Sequence, residues 1–234
     1  MNANLTTRRT QPTLETLEDR SLLAVGSAGL YNGVLTVYAS EMADRVTISS
    51  PPSVWTSYLD VKIENIGTPL LFTYRMSDVS RVVVHGGSGN DVIQNLTSRY
   101  MIAYGGSGDD ALYGGAGWDD LYGGDGNDYL TAGAGVDLLY GENGSDNLQG
   151  GDGSDWLYGG SGLDYLFGEN GDDRLDGGYD GARDYLSGGW GADTYVSHQY
   201  YHWFWGWSAE SETFADTSYG WYDSYLDKVE KIYH

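Results

Sequence analysis

Acidic side chains recur in this sequence with a fixed nine-residue period. From Gly105 to Asp176 eight contiguous nonapeptides, beginning GGSGDDALY and GGAGWDDLY, place aspartate at the sixth position every time: Asp110, Asp119, Asp128, Asp137, Asp146, Asp155, Asp164 and Asp173. Position four is always Gly, and position eight is always Leu (Leu112, Leu121, Leu130, Leu139, Leu148, Leu157, Leu166 and Leu175). A flexible glycine-rich linker would fix neither an acid phase nor an apolar phase. The pattern describes carboxylates set at equal intervals on a regular support, as a row of cation sites requires.

The support follows from the spacing. Six glycine-rich residues make a turn, because Gly tolerates the positive φ angles it needs. Three residues then make a short strand, whose alternation sends position eight inward and positions seven and nine outward. Two nonapeptides complete one coil, and coils stack at the parallel strand spacing of about 4.8 Å. Asp110 then falls in line with Asp128, Asp146 and Asp164 along one edge, and Asp119 with Asp137, Asp155 and Asp173 along the other. Carboxylates about 5 Å apart repel by roughly 3 kcal/mol per pair at an effective dielectric of about 20, so each column calls for a counter-ion. Calcium fits, since it accepts six to eight hard oxygens from carboxylates and carbonyls in flexible geometry. Zinc prefers nitrogen or sulfur, and magnesium demands a tighter octahedron.

The expected ligands are these aspartates and the turn carbonyls at Gly106, Gly108, Gly115, Gly117, Gly124, Gly126, Gly151, Gly153, Gly160 and Gly162. An ion between each stacked pair gives six sites, which would bring the formal charge from −22 to −10. Asp184 and Asp193 each lie 20 residues beyond a column member, matching one coil plus the two-residue insertion in GGYDGARDYLS. They extend the expectation to about eight ions. An outlying copy, GGSGNDVIQ, starts at Gly86, but the segment Asn95 to Tyr104 sets its Asp91 apart.

These residues resemble the repeats-in-toxin (RTX) family, whose signature is GGxGxDx, a large apolar residue and one more position. The resemblance covers Gly86 to Val196. It implies an all-β, right-handed parallel β-roll with Ca²⁺ between turns, secreted largely unfolded and folded outside the cell. Ala132 at the first Gly and Glu142 and Glu169 at the second depart from the signature. That position supplies mainly backbone oxygen, so those sites should survive. Residues Leu17 to Leu23 resemble the LEPR-XLL motif found at the start of many exported bacterial proteins, with Asp19 in place of Pro. Both resemblances point to an extracellular location, secreted or at the cell surface.

Composition agrees. Asp+Glu number 34 against 12 Lys+Arg, which argues against nucleic acid as a partner because phosphate backbones need a basic face. There is no Cys, hence neither disulfides nor thiolate metal sites, and no apolar run approaches the ~20 residues of a transmembrane helix.

The flanks read as caps. Residues 1–25 read as an export-signal-like or disordered segment and 26–104 as a β-rich amino-terminal cap that includes the isolated repeat. The β-roll occupies 105–196, and 197–234 form an aromatic carboxyl-terminal cap. In the first cap Val34–Tyr38, Val46–Ser49, Leu59–Ile63 and Arg81–Val84 are strand-like, and a solenoid needs such a cap over its first apolar layer. The tail carries the run from His198 to Trp207, with Trp203, Trp205 and Trp207. Tyr122, Tyr140 and Tyr158 recur every 18 residues and should form an outward ladder.

Nothing marks an enzyme. There is no HExxH helix or GxSxG elbow, and His85, His198, His202 and His234 lack a recognisable nucleophile neighbour. The expected function is a non-catalytic, exported calcium-binding protein. The alternative is a calcium-rigidified adhesin whose Trp and Tyr faces contact a cell-surface polysaccharide or protein.

Overall fold

In the computed structural model of the chain, residues 26–50, 57–64 and 69–196 are described with their side chains, and 197–202, 206–209, 213–214 and 228–233 as backbone strands. The export-like segment and the aromatic tail's side chains lie outside these residues.

Strands dominate. The first five are β1 (Ser27–Tyr31), β2 (Val34–Tyr38), β3 (Arg45–Ser49), β4 (Tyr58–Glu64) and β5 (Leu70–Arg75), followed by the 3-10 turn Met76–Asp78. Next come β6 (Arg81–Ser88), β7 (Val92–Asn95), β8 (Met101–Ser107), β9 (Ala111–Gly115), β10 (Asp119–Asp125) and β11 (Tyr129–Gly135). The roll continues through β12 (Leu138–Asn143), β13 (Asn147–Gly153), β14 (Trp156–Ser161), β15 (Tyr165–Asn170), β16 (Arg174–Asp176), β17 (Tyr185–Trp190) and β18 (Thr194–His202).

From β5 to β18 successive strands alternate between two sheets. One runs β1-β2-β6-β8-β10-β12-β14-β16-β18, and the other β17-β15-β13-β11-β9-β7-β3-β4-β5. From β2 to β18 in the first sheet and from β3 to β17 in the second, neighbours pair in parallel, in a register that repeats the sequence period: Leu121 faces Leu139 and Leu139 faces Leu157 in one sheet, Leu112 faces Leu130 and Leu130 faces Leu148 in the other. The position-eight leucines are wholly buried, while positions seven and nine point outward. The chain is a parallel β-roll.

Two details differ from the sequence expectation. Pairing does not stop after three residues but runs on into the turn, as at Gly124↔Glu142 and Asp125↔Asn143. Near-identical turns stack at the strand spacing, so their amides and carbonyls still meet. The copy at Gly86 is not isolated either, because β6 pairs with β8 and β7 with β9. The segment Asn95 to Tyr104 supplies half a coil despite lacking the motif. The two-residue insertion is absorbed between β16 and β17, so that Leu166 faces Leu186.

Candidate metal centre

Each edge of the roll carries one continuous aspartate column, and the columns are held by the backbone. On one edge the Asp110 amide donates to Oδ1 of Asp128 at 2.7 Å, Asp128 to Asp146 at 2.7 Å, Asp146 to Asp164 at 2.8 Å and Asp164 to Asp184 at 3.0 Å. On the other edge Asp119 donates to Asp137 at 2.6 Å, Asp137 to Asp155 at 2.8 Å, Asp155 to Asp173 at 2.8 Å and Asp173 to Asp193 at 2.9 Å. Asp184 and Asp193 thus stand in line, as their offset requires. One oxygen of each carboxylate is a structural rung, a role the spacing did not reveal. The aspartates do more than repel one another: they also join coil to coil.

The other oxygen is left over. Oδ2 of Asp110, Asp119, Asp128, Asp137, Asp146, Asp155, Asp164 and Asp173 is buried with no hydrogen-bond partner. A buried carboxylate oxygen in that condition carries a desolvation cost unless it meets a cation or a donor. The metal-free carboxyls respond accordingly. Burial raises Asp119 to about 8, Asp137 and Asp128 to about 7 and Asp110 to about 6. The amide donated from the preceding coil lowers each, but the burial effect is larger; a neighbouring carboxylate adds a smaller upward push.

Seven of the eight leftover oxygens point at the glycine that opens their own turn, and in the turn of Asp137 that place is taken by the small Ala132. A Cβ on Gly105 would stand 2.3 Å from Asp110 Oδ2 and 2.6 Å from the Gly123 carbonyl, and one on Gly123 would stand 2.3 Å from Asp128 Oδ2. Position one is therefore small to make space around the carboxylate. At position two the constraint is different: Gly106 and Gly124 have φ of 118° and 115°, and a Cβ on Gly124 would lie 2.1 Å from the Gly106 carbonyl. Gly108, Gly126, Gly153 and Gly162 are likewise positive at position four, and Gly115, Gly151 and Gly160 at position two. Gly117 does not share this conformation. Glu142 and Glu169 occupy position two at φ 77°, so the turn survives them with a left-handed non-glycine residue.

Such a site suits a hard cation. Among the described residues no three His, Cys, Asp or Glu side chains converge, so an ion held at a turn would take one or two carboxylates and draw its remaining ligands from backbone carbonyls. Calcium accepts that donor set readily; zinc sites built from three or four side chains do not match it.

A family model described as RTX calcium-binding nonapeptide repeat (4 copies) matches residues 83–94, 102–130, 113–148, 123–156, 149–178 and 180–197. The nonapeptides of the roll are thus similar to RTX calcium-binding repeats. No curated protein matches the chain. The RTX match begins before Gly105 and includes Asp91, whose environment is that of the other column members. Its Oδ1 accepts the Asp44 amide at 2.7 Å, its amide donates to Asp110 Oδ1 at 2.7 Å, its Oδ2 is buried without a partner, and burial raises it to about 7. Asp44 heads the same column, and sequence reading missed it. Its signal was faint: in Ala39–Thr47 an aspartate stands two residues before an inward Val46, the RTX phase without any of the RTX glycines.

Outside the turns, the tyrosine ladder is longer than its period predicts. Tyr38, His85, Tyr104, Tyr122, Tyr140 and Tyr158 stack face to face, with centroids 4.8–5.1 Å apart and planes within 15°. Stacked rings cover one another's faces and offer only edges to solvent, so the ladder buttresses the sheet and is a poor platform for a sugar ring. No helix among the described residues is long and apolar enough to cross a membrane.

Proposed function

We propose that this chain is an exported, non-catalytic RTX protein whose β-roll folds when calcium occupies its turns. The observation that carries this reading is the two rows of buried Oδ2 atoms from Asp110 to Asp173, which have no hydrogen-bond partner. Asp110, Asp119, Asp128, Asp137, Asp146, Asp155, Asp164, Asp173, Asp184 and Asp193 would hold the ions, together with turn carbonyls at positions two and four. Bound there, calcium supplies the positive charge that lets these carboxylates stay ionised inside the roll. The expected load is six to eight ions.

Folding and binding are then one process, because the unfolded chain contains no preformed site. Export fits the same scheme: a chain unfolded at low calcium would fold on meeting the higher concentration outside the cell, and the segment resembling LEPR-XLL supports that route. Calorimetric titration should give six to eight calcium ions per chain, with circular dichroism gaining β signal over the same range. A spectrum indifferent to calcium would refute the proposal.

A second reading, a calcium-rigidified module for a surface polysaccharide or protein, is favoured by the exposure of Trp118 (68%), Trp156 and Trp190 (both 53%). Glycan-array binding that needs calcium and is lost in Trp118→Ala would support it; silence across the array would leave the first reading alone.

A further inference from the structure

The half-coil Asn95–Met101 fills the place of an RTX turn but is built to do without an ion. Met101 pairs with Asp119 in the ladder, so a wholly buried thioether side chain occupies the position that every later coil gives to aspartate. The turn before it satisfies its own polar groups. Asn95 Oδ1 accepts the Thr97 amide at 3.0 Å and the Thr97 hydroxyl at 2.7 Å, and Asn95 Nδ2 donates to the Arg99 carbonyl at 2.8 Å. Thr97 Oγ1 accepts the Arg99 amide at 3.1 Å, and the Arg99 guanidinium donates to the Met76 carbonyl at 3.0 Å. Neither Asn95 nor Thr97 has a side-chain atom among the buried, unpartnered ones. On this edge the column of ion-demanding carboxylates begins at Asp119.

On the opposite edge Asp44 is partly provided for within the protein. Its Oδ2 accepts both the amide and the hydroxyl of Ser40, at 2.5 and 2.7 Å. Among the described residues, Asp44 Oδ1 and Asp91 Oδ2 are then the buried, unpartnered carboxylate oxygens before residue 105, against eight from Asp110 to Asp173.

The apolar interior changes over the same boundary. β4 alone buries Leu59, Val61 and Ile63, and β2 buries Leu35 and Val37, whereas β10 contributes Leu121 as its single large apolar side chain. Each fully buried aliphatic side chain is worth about 1.5–3 kcal/mol, so the early strands draw on apolar burial where the later ones have little. Antiparallel pairing of β1 with β2, of β3 with β4 and of β4 with β5 adds local contacts that require no metal.

We propose that residues 26–104 hold their fold without calcium and form the ready-made end on which the ion-dependent coils assemble. This deepens the function proposed above and rests on it for the coils beyond residue 105. With the first parallel edge already in place, a calcium-loaded coil adds to an existing strand instead of starting a sheet alone.

Hydrogen–deuterium exchange on the full chain, with millimolar calcium chloride or with chelator at neutral pH, tests this directly. Amides of β2, β4 and β6 stay protected in both conditions, while those of β10 to β15 lose protection at least a hundredfold in chelator. Loss of protection in both regions together overturns the proposal and leaves the calcium reading standing. Protection of both regions in chelator overturns the calcium reading, and the proposal with it. Leu59→Ala weakens the early segment alone and should raise the calcium concentration at half-maximal β signal several-fold. An unchanged midpoint overturns the templating role.

Discussion

Replacing Asp137 by asparagine should change the sign of its effect with calcium. Asn retains Oδ1, which accepts the Asp119 amide at 2.6 Å, so the rung between coils survives. It removes the charge on a carboxyl that burial has pushed up to about 7 from 3.8. At about 1.4 kcal/mol per tenfold change, ionising that carboxyl in the metal-free roll at pH 8 costs on the order of 4 kcal/mol. A buried unsatisfied oxygen alone is worth about 1–3 kcal/mol. Asp137→Asn should therefore stabilise the metal-free roll by about 1–4 kcal/mol. In calcium the balance reverses. Free ion at a hundredfold excess over Kd contributes about 2.7 kcal/mol per site, and a residue in mid-column serves two sites, so about 5 kcal/mol is forfeited. The assay is circular dichroism at pH 8, following the folding midpoint along a trimethylamine-oxide series in chelator and the urea midpoint in millimolar calcium. A variant less stable than its parent in chelator, or as stable as its parent in calcium, refutes the reasoning.

Other perturbations have equally definite outcomes. Acidification should rescue the metal-free roll: carboxyls raised to between about 6 and 8 make folding favourable below about pH 4 and progressively less so as pH rises through those values, so β signal in calcium-free buffer should be strong at pH 4 and lost by pH 8. Protons should compete with the metal, and titration calorimetry should find weaker calcium binding at pH 5.5 than at pH 8. Gly124→Ala forces a Cβ to within 2.1 Å of the Gly106 carbonyl at φ 115°, and should lower stability in calcium by about 1–3 kcal/mol, read as a shift of the urea midpoint. Glu142→Gly removes a left-handed glutamate at φ 77° and should raise the same midpoint by about 1 kcal/mol. Tyr122→Ala breaks the ring ladder between Tyr104 and Tyr140 and should cost about 0.5–1.5 kcal/mol beyond the lost burial, with the calcium stoichiometry unchanged.

How much of this was legible in the sequence depends on which residues recur. Position eight fixed the inward face and the eighteen-residue register, because only leucine appears there and pairing at Leu121↔Leu139 follows from it. Position six fixed the columns, even through the insertion before Asp184. What escaped was whatever the repeat achieves without its motif. Met101 and Asn95 complete a coil with a different set of hydrogen bonds, and no spacing rule marks them. Asp44 holds the right phase, but in a turn free of glycine it looks like an ordinary loop acid. His85 joins the ring ladder because it stands in register with Tyr38 and Tyr104, a position that only the strand pairing reveals. The dual use of each carboxylate was also hidden. Composition reports charge but not which oxygen meets an amide.

The order of strands in the two sheets has a mechanical consequence. The chain enters at one end of the stack and runs toward the other, so a pull on its ends acts along the axis and peels coils away singly instead of shearing the sheets. Each released coil of 18 residues would lengthen the molecule by about 60 Å. A cell-surface chain built this way would yield in uniform small steps, each resisted by two amide-to-carboxylate rungs and whatever ions they enclose, and would re-wind step by step when the load relaxed.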